Sequence, residues 1–342
     1  MSEGAPRRPT MREVAALAGV SLATVSRVMN GDGKVRADLA QRVHDAVALL
    51  GYRRDLTATT LRRADRASSS IGLILDDVSN PFDAEIHRAI EEVLRARGVL
   101  AFAASSDEDP ERERELTQAL LSRRVDGLVI MPAGGELNYL SADRDAGVAV
   151  VFVDRPPAFL DADCVLSDNA GGAREGTLHL LAAGHRRIGY LGDRERIYTA
   201  SERLAGHRAA LAEHGLPYDR ALVRMELHDS ASARAGARDL LRRPDPPTAL
   251  FGARNVISIG AVQALRAEGL MGSVALVGFD DLPLAEAVEP GITVVAQDVA
   301  GLGRTAAELL FARLDGERGS SARMVLPTTL VERGSGELPP AS

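Results

Sequence analysis

The sequence predicts a small all-helical domain at the N-terminus, followed by a larger α/β body made of two lobes. Residues 11–52 contain helical repeats of apolar residues that end at glycines. From Ile71 onward, short apolar runs alternate with helical segments, a pattern typical of parallel sheets covered on both faces. A chain of 342 residues is also too long for one domain of about 100–200 residues.

The first two helices are predicted to form a helix-turn-helix. The pattern T-x-x-E at 10–13 is that of a capping box, so a helix should start near Met11. Gly19 can end this helix with a positive φ. Ser21 can then cap a second helix, 22–30, and a third is predicted over 39–50. Two helices joined by so short a turn are typical of DNA-binding proteins.

The second helix carries short side chains near its start and one arginine a turn later. A recognition helix offers its N-terminal residues to base edges in the major groove, and an arginine can bond guanine O6 and N7 together. The residues expected to contact DNA there are Leu22, Ala23, Thr24, Ser26, Arg27 and Asn30. A three-helix bundle without any ligand is the alternative interpretation.

The charge distribution favours a polyanionic partner for the N-terminal part. Residues 1–66 contain 12 Arg/Lys and 7 Asp/Glu, although the whole chain has a net charge of −7. A basic head on an acidic body suggests contact with nucleic acid. The single cysteine, Cys164, permits no intrachain disulfide and predicts a cytoplasmic location. No apolar run of about 18 residues is present, so no membrane contact is expected.

The stretch TMREVAALAGVSLATVSRVMNG at 10–31, followed by RVHDAVALLGY, resembles the headpiece of the lactose-repressor (LacI/GalR) family of bacterial transcription regulators. Landmarks of the body continue the resemblance, among them SNPF at 79–82, GHRRIGYLG at 184–192 and VALVGFDDLPLAE at 274–286. The resemblance implies a homodimeric repressor that binds a palindromic double-stranded operator and is controlled by a small-molecule effector.

The resemblance also implies a domain organisation. A helix-turn-helix headpiece (1–52) and a hinge helix or linker (53–69) would precede an effector-binding and dimerisation domain (70–342) with the fold of periplasmic sugar-binding proteins. In that fold the chain crosses between the lobes three times. Lobe 1 is expected at about 70–167 and 298–327, and lobe 2 at about 168–297 and 328–342.

Within the hinge, Leu61 lies where the family places a leucine that wedges into the minor groove of the operator. The sequence departs from the family pattern on both sides of this leucine. Arg54 and Asp55 replace the usual Pro-Asn, and Thr59 replaces the usual arginine. A solvated linker without DNA contact is therefore the alternative for this segment.

The cleft between the lobes is the expected effector site, because ligands of open α/β sheets bind beyond the carboxyl ends of the strands. Family position gives the candidate contacts Phe82, Asp83, Asp154, Arg155, Arg203, Phe251, Arg254, Asn255 and Asp280. Carboxylate acceptors and guanidinium donors suit a hydroxyl-rich sugar, and the arginines would also suit an acidic sugar or a sugar phosphate. Asp83 and Arg254 depart from the family's commonest residues there, an aromatic residue and an Asn or Gly.

The sequence contains no motif that requires catalysis, a cofactor or a metal. Lys34 is the only lysine, so the body has no P-loop, and the histidines lack zinc-site spacing. The stretch GLGRTA at 301–306 imitates a dinucleotide fingerprint outside its usual context, and we interpret it as a closely packed helix start. We predict a regulator, not an enzyme. A sugar-binding receptor of a transporter and a sugar-processing enzyme are the alternatives.

Overall fold

The computed structural model describes residues 9–29, 34–52 and 68–340. Contacts divide the chain into two compact units, the headpiece (1–68) and the body (69–342). Five residues discussed above lie outside the described residues, as does most of the predicted hinge: Asn30, Arg54, Asp55, Thr59 and Leu61.

The described part of the headpiece contains helices α1 (Met11–Ala18), α2 (Leu22–Met29) and α3 (Ala37–Leu50). The predicted capping box is present, because the Glu13 amide donates to Oγ1 of Thr10 while the Thr10 amide donates to the Glu13 carboxylate at 2.6 Å. Gly19 follows α1 with a φ of 63°, in the left-handed region that favours glycine. The local sequence thus sets both ends of α1.

Small and branched residues fill the core where the three helices meet. Val25 of α2 is fully buried, and burying a side chain of this kind contributes about 1.5–3 kcal/mol. The other core residues are Val14, Ala15, Ala18, Val28, Val43 and Ala46. Because this core occupies one side of α2, the opposite side of the helix is left for other contacts.

The first sheet of the body is entirely parallel. Its strands are β1 (Ser70–Leu75), β2 (Leu100–Ser105), β3 (Gly127–Ile130), β4 (Ala149–Val153), β5 (Asp163–Ser167) and β11 (Arg323–Leu326). They lie in the order β11-β5-β4-β3-β1-β2. The accompanying helices are α4 (Pro81–Ala96), α5 (Pro110–Ser122), α6 (Ser141–Asp145) and α11 (Val299–Leu314), with a 3₁₀ turn at Asn138–Leu140. We call this sheet with its helices lobe 1.

The second sheet has the same number of strands among the described residues and forms lobe 2. Its strands are β6 (Ile188–Leu191), β7 (Val223–Arg224), β8 (Ala249–Gly252), β9 (Ala275–Phe279), β10 (Thr293–Gln297) and β12 (Thr328–Val331). They lie in the order β12-β10-β9-β8-β6-β7. Its helices are α7 (Asn169–Ala182), α8 (Tyr198–Glu213), α9 (Ser230–Leu241) and α10 (Asn255–Ala267), with 3₁₀ turns at Arg220–Leu222 and Ala285–Ala287.

The chain passes between the two sheets three times, after β5, after β10 and after β11. Asp168 and Asp298 follow the first two crossings and cap α7 and α11, each accepting a 2.8 Å bond from the amide three residues on. The third crossing delivers β12 from the carboxyl end of β11. Strand β12 therefore runs antiparallel to β10, which is the one departure from parallel pairing among the described strands.

Close helix packing in lobe 1 accounts for the GLGRTA stretch at 301–306. Helix α11 crosses α4 so closely that a Cβ atom on Gly303 would lie 2.8 Å from the Ile86 carbonyl oxygen. The helix crossing therefore requires the glycine at 303, whereas Gly301 leaves room for the Asp298 carboxylate that caps α11. Among the described residues, no helix is long and apolar enough to cross a membrane.

Candidate functional site

Helix α2 exposes three of the five predicted DNA contacts that are described on it. Leu22, Ala23 and Arg27 are exposed, and Thr24 and Ser26 are half-buried. The exposed side of the helix combines an apolar start with one long cation a turn later. Such a surface can meet base edges and thymine methyl groups at its start, and Arg27 can donate hydrogen bonds to a guanine.

The turn before α2 is held by two hydrogen bonds between Ser21 and Thr24 and by one from Arg42. Oγ of Ser21 accepts a 3.1 Å bond from the Thr24 amide and lies 2.9 Å from Oγ1 of Thr24. Nη2 of Arg42 on α3 donates a 3.5 Å bond to the Gly19 carbonyl. Part of the hydrogen-bonding capacity of Thr24 is thus used in capping the helix, which leaves Arg27 as the long polar side chain exposed on α2.

In the body, a cavity lies where the carboxyl ends of the strands of both lobes meet. The empty space between its walls is about 410 Å³ when the part open to solvent is included. Eight of the nine candidate effector contacts line it: Phe82, Asp83, Asp154, Arg155, Arg203, Arg254, Asn255 and Asp280.

Phe251 does not line the cavity, and the expectation for this residue is wrong. Its side chain is fully buried and stacks on Tyr190, with ring centroids 5.7 Å apart. Side chains alternate between the two faces of a strand. On β8 the face of Phe251 is the one covered by α7, since a Cβ atom on Gly176 would lie 2.9 Å from the Phe251 ring. Phe251 therefore belongs to the core of lobe 2.

Asp154 and Asp280 occupy equivalent positions in the two lobes, directly after β4 and β9. Their φ angles are 66° and 68°, a left-handed conformation that aspartate tolerates better than most residues. Their amides each donate a 2.9 Å bond to the neighbouring strand, at the carbonyls of Val165 and Val295. The same local fold therefore places one carboxylate at the cavity in each lobe.

The structure adds three acidic residues to this region that the sequence reasoning missed. Asp76 and Asp193 line the cavity, and Glu108 contacts its arginines. Asp76 follows the apolar run of β1, and Asp193 follows β6 after one glycine. The same signal pointed to Asp154, so it could have found both. Glu108 carries no such signal, because only folding brings its loop to the cavity.

Arg254 joins the two lobes through carboxylates. Its Nη2 lies 2.7 Å from Oδ2 of Asp76, and its Nη1 lies 2.7 Å from Oδ2 of Asp193 and 3.4 Å from Oε1 of Glu108. Burial lowers the pKa of Arg254, but the charges of these carboxylates outweigh it and hold the pKa above its ordinary value. Because Asp76 and Glu108 belong to lobe 1, this guanidinium bridges the cleft.

Arg155 and Arg194 also contact the Glu108 carboxylate. Nη2 of Arg155 lies 3.1 Å from Oε1 of Glu108, and Nη1 of Arg155 donates a 3.1 Å bond to the Pro132 carbonyl. Nη1 of Arg194, on lobe 2, lies 2.8 Å from Oε2 of Glu108. Burial raises the pKa of Glu108, and the Arg155 and Arg254 charges oppose that rise. Glu108 is thus shared by arginines from both lobes.

Arg203 is fixed by bonds within lobe 2. Its Nε donates a 2.7 Å bond to Oδ1 of Asn169, and its Nη1 donates a 2.8 Å bond to the Ala253 carbonyl. The guanidinium carbon lies 3.9 Å from the centre of the Phe279 ring, a cation–π contact. With Nη1 3.6 Å from Oδ2 of Asp280, Arg203 is held rigidly at the cavity wall.

Both oxygens of Asp280 already accept hydrogen bonds. Oδ1 accepts a 2.6 Å bond from Nε2 of Gln297, and Oδ2 accepts a 3.3 Å bond from the Asn255 amide. Nδ2 of Asn255 in turn donates a 2.6 Å bond across the cleft to Oδ1 of Asn80. Asp280 therefore orients its neighbours as well as lining the cavity.

Two carboxylates of lobe 1 each have one oxygen without a hydrogen bond. No described residue donates to Oδ1 of Asp83 or to Oδ1 of Asp154, although both side chains are buried. Oδ2 of Asp83 accepts a 3.0 Å bond from the Asp77 amide. Burial raises the pKa of Asp83 to about 7 and also raises the pKa of Asp154. The cavity lining therefore contains two carboxyl oxygens that receive no hydrogen bond from the described residues.

Comparison with known proteins agrees with this architecture. Residues 10–55 match the family of bacterial regulatory proteins called the lacI family, and residues 177–336 match the periplasmic binding protein-like domain. The HTH-type transcriptional regulator CelR of Thermobifida fusca is 35% identical over 339 residues, which cover 96% of this chain and 99% of that regulator.

Two solved structures cover the same extent. A complex of the transcriptional regulator CelR with cellobiose is 34% identical with a TM-score of 0.70, covering 96% of this chain and 100% of that one. The lac repressor dimer bound to operator and the anti-inducer ONPF is 26% identical with a TM-score of 0.81, covering 96% and 99%. The resemblance read from the sequence is thus confirmed, and the chain belongs to the LacI family of bacterial regulatory proteins as a DNA-binding transcriptional regulator.

Proposed function

We propose that this regulator is a cytoplasmic repressor that binds a palindromic operator as a homodimer and releases or tightens on it when a sugar-like effector enters the cleft. One observation carries the proposal. A single chain combines an exposed helix α2, suited to a major groove, with a buried polar cavity between two lobes. Two similar proteins support it, CelR in complex with cellobiose and the lac repressor dimer on its operator.

In the proposed DNA complex, α2 of each subunit would lie in the major groove of one half-site. Two-fold symmetric subunits require a palindromic operator, because each headpiece then meets the same bases. Arg27 would read a guanine, while Leu22 and Ala23 would distinguish thymine methyl groups and groove shape. The remaining basic residues of the headpiece would supply attraction to the backbone that does not depend on sequence.

In the proposed switch, an effector would contact both lobes at once. The unbonded carboxylate oxygens of Asp83 and Asp154 belong to lobe 1, whereas Arg203 and Asn255 belong to lobe 2. A ligand held from both sides binds one arrangement of the lobes better than another, and this difference is what shifts a conformational equilibrium. We propose binding alone, without catalysis, as the role of this cavity.

The test of DNA reading uses the full-length protein. A site is first selected from random double-stranded DNA, and affinities of wild type and Arg27→Ala are then titrated on that site and on random DNA by fluorescence anisotropy. We expect a palindromic site, and a loss of about 1–3 kcal/mol for Arg27→Ala that is confined to it. Arg36→Ala removes another exposed arginine of the headpiece and should not change the ratio of the two affinities.

Two results would contradict the proposal. If Arg27→Ala weakens binding equally on selected and random DNA, Arg27 is a phosphate contact and another residue reads the base. If no sequence is enriched from the random pool, sequence-specific repression by this headpiece is excluded under those conditions.

A further inference from the structure

We propose that the effector presents hydrogen-bond donors and no negative charge to the cleft, so that a neutral or amine-bearing sugar binds while an acidic sugar or a sugar phosphate does not. The inference rests on the proposed function, which places a sugar-like effector in this cavity. Of the three effector classes that the sequence leaves open, a hydroxyl-rich sugar is retained, and an acidic sugar and a sugar phosphate are excluded.

Acidic side chains outnumber basic ones around the cavity. The acidic residues that line it are Asp76, Asp83, Asp154, Asp193 and Asp280, and the basic ones are Arg155, Arg203 and Arg254. Glu108 and Arg194, which touch this group, leave the excess of acid unchanged. Charges in a buried site are weakly screened by solvent and salt. At pH 8, above the pKa of about 7 of Asp83, an anionic ligand would therefore meet net repulsion from the ionised carboxylates.

Each lining arginine is already paired with a carboxylate. Arg155 pairs with Glu108, Arg203 with Asp280, and Arg254 with Asp76 and Asp193. An anion could bind a paired nitrogen of these guanidinium groups only by displacing a carboxylate that is itself buried. Leaving a buried charge unpaired is strongly unfavourable.

Nε of Arg155 is a fully buried guanidinium nitrogen of the lining that makes no hydrogen bond to a described residue. It lies 3.5 Å from Oδ2 of Asp154 in an ion pair. This nitrogen therefore faces a carboxylate, so it does not offer an anion a free binding position.

Two buried carboxylate oxygens of lobe 1 lack a hydrogen bond from the described residues. Asp83 is 1% exposed and Asp154 is 4% exposed, and Oδ1 of each receives no hydrogen bond from the described residues. Buried polar atoms in proteins are nearly always hydrogen-bonded. Both residues line the same cavity, so a ligand that fills it can satisfy both. In a sugar or an amino sugar, hydroxyl and ammonium groups are the donors from which a carboxylate can accept a hydrogen bond.

The surroundings of Asp83 explain why a donor would be favoured there. Asp76 and Asp154 add negative charge near Asp83, while Arg254 adds positive charge but is bonded elsewhere. Burial is the largest of these influences and raises the pKa of Asp83 to about 7. A ligand hydroxyl or ammonium group would restore the interaction that this carboxylate lacks, whereas a ligand phosphate would add a further negative charge.

The experiment is a thermal-shift comparison of matched sugars on the full-length protein near pH 8 and at constant ionic strength. Glucose, galactose and mannose are each tested beside their 2-amino, uronic acid and 6-phosphate derivatives, and cellobiose is added as a neutral disaccharide. We expect stabilisation by a neutral or amine-bearing member and none by its anionic partners. The neutral and amine arms separate a hydroxyl donor from an ammonium donor.

The outcomes distinguish this inference from the proposed function. If an anionic derivative stabilises the protein at least as well as its neutral parent, the inference is overturned while a sugar effector stands. If no sugar of any charge raises the melting temperature, the proposed sugar effector is itself overturned, and the inference falls with it.

A variant tests whether Asp83 is the acceptor. Asp83→Asn should raise the Kd of the stabilising sugar by about tenfold or more, because one acceptor oxygen becomes a donor amide. Asp107→Asn alters an exposed carboxylate of the same lobe and should leave this Kd unchanged. An unchanged Kd in a folded Asp83→Asn protein would remove Asp83 from the site and overturn its assignment as the acceptor.

Discussion

The two lobes face the cleft with opposite charge. The cleft side of lobe 1 carries Asp76, Asp83, Glu108 and Asp154 against Arg155, whereas that of lobe 2 carries Arg194, Arg203 and Arg254 against Asp193 and Asp280. Three ion pairs of the described residues span the cleft directly, Arg254–Asp76 at 2.7 Å, Arg194–Glu108 at 2.8 Å and Arg254–Glu108 at 3.4 Å. The lobes are thus drawn together by charge, while each lobe is stabilised internally by its apolar core.

Ion pairs in this protein should contribute differently to the free energy of unfolding according to where they lie. In pairs on the outer surface, such as Arg242–Glu268, the arginine is largely solvated, and such pairs contribute little. Pairs in the cleft are shielded from water, so loss of one partner leaves a charge that solvent cannot reach. Removal of a cleft arginine should therefore lower the free energy of unfolding more than removal of a surface arginine.

The largest effect is expected for Arg254→Met, which removes the guanidinium at the centre of the cleft. Asp76 and Asp193 would then lack their 2.7 Å partner. We expect the free energy of unfolding near pH 7 to fall by about 3–5 kcal/mol, measured by urea denaturation. Arg242→Met, on the outer surface, should lose less than about 1 kcal/mol. Equal losses in the two variants would refute the distinction between cleft and surface pairs.

The next effect has the opposite sign. Burial raises the pKa of Asp83 to about 7, so ionising this carboxylate costs the folded protein stability as the pH rises between about 4 and 7. Asp83→Asn removes that cost and keeps the shape. We expect it to stabilise the protein at about pH 8 by as much as about 4 kcal/mol, with the gain shrinking toward pH 4, as measured by urea unfolding at several pH values.

Asp163→Asn is the matched control for this pH dependence. Burial opposes ionisation of Asp163, but Arg313 and the Ala322 amide outweigh burial and hold its pKa below the usual range. Its carboxylate therefore adds stability above pH 4 that is lost on acidification. Asp163→Asn should destabilise the protein at pH 8. If both variants shift stability in the same direction, the contrasting environments of Asp83 and Asp163 are misjudged.

Much of this molecule could be predicted from local sequence patterns. The capping box at 10–13 and the turn glycine Gly19 depend on neighbours in the chain, and the structure has both. Family position predicted Asp154 and Asp280 as effector contacts, and each closes an apolar strand at the cavity. These features could be predicted because short-range hydrogen bonds and strand periodicity determine them.

The remaining features depend on contacts between distant segments. The apolar run around Phe251 does not show which face of β8 meets the helices, so its burial in the core was missed. Glu108 reaches Arg254, 146 residues away, only in the folded body. Pairing of that kind is decided by packing, and no local pattern reports it.

The third effect tests lobe 2 through the effector. Asp280→Asn removes the ion partner of Arg203 and must give up one of the bonds from Gln297 and the Asn255 amide. We expect the Kd of the stabilising sugar to rise about 10- to 100-fold, equivalent to about 1.4–2.8 kcal/mol, with operator affinity unchanged in its absence. Operator titrations with increasing sugar measure this, and a normal response would exclude Asp280 from the effector site.

The smallest effect is expected at the edge of the cleft, for Arg194→Gln. Arg194 is more exposed than the other cleft arginines, and Glu108 keeps Arg155 and Arg254 after its loss. The pair is therefore intermediate between a surface pair and a buried one. We expect a loss of about 1 kcal/mol or less in urea unfolding at about 0.05 M NaCl, and a smaller loss at about 0.5 M NaCl because salt reaches this position. Arg254→Met should keep most of its effect at the higher salt concentration, since its partners are buried. If the two variants respond to salt alike, charge across the cleft is uniformly solvated and cannot draw the lobes together.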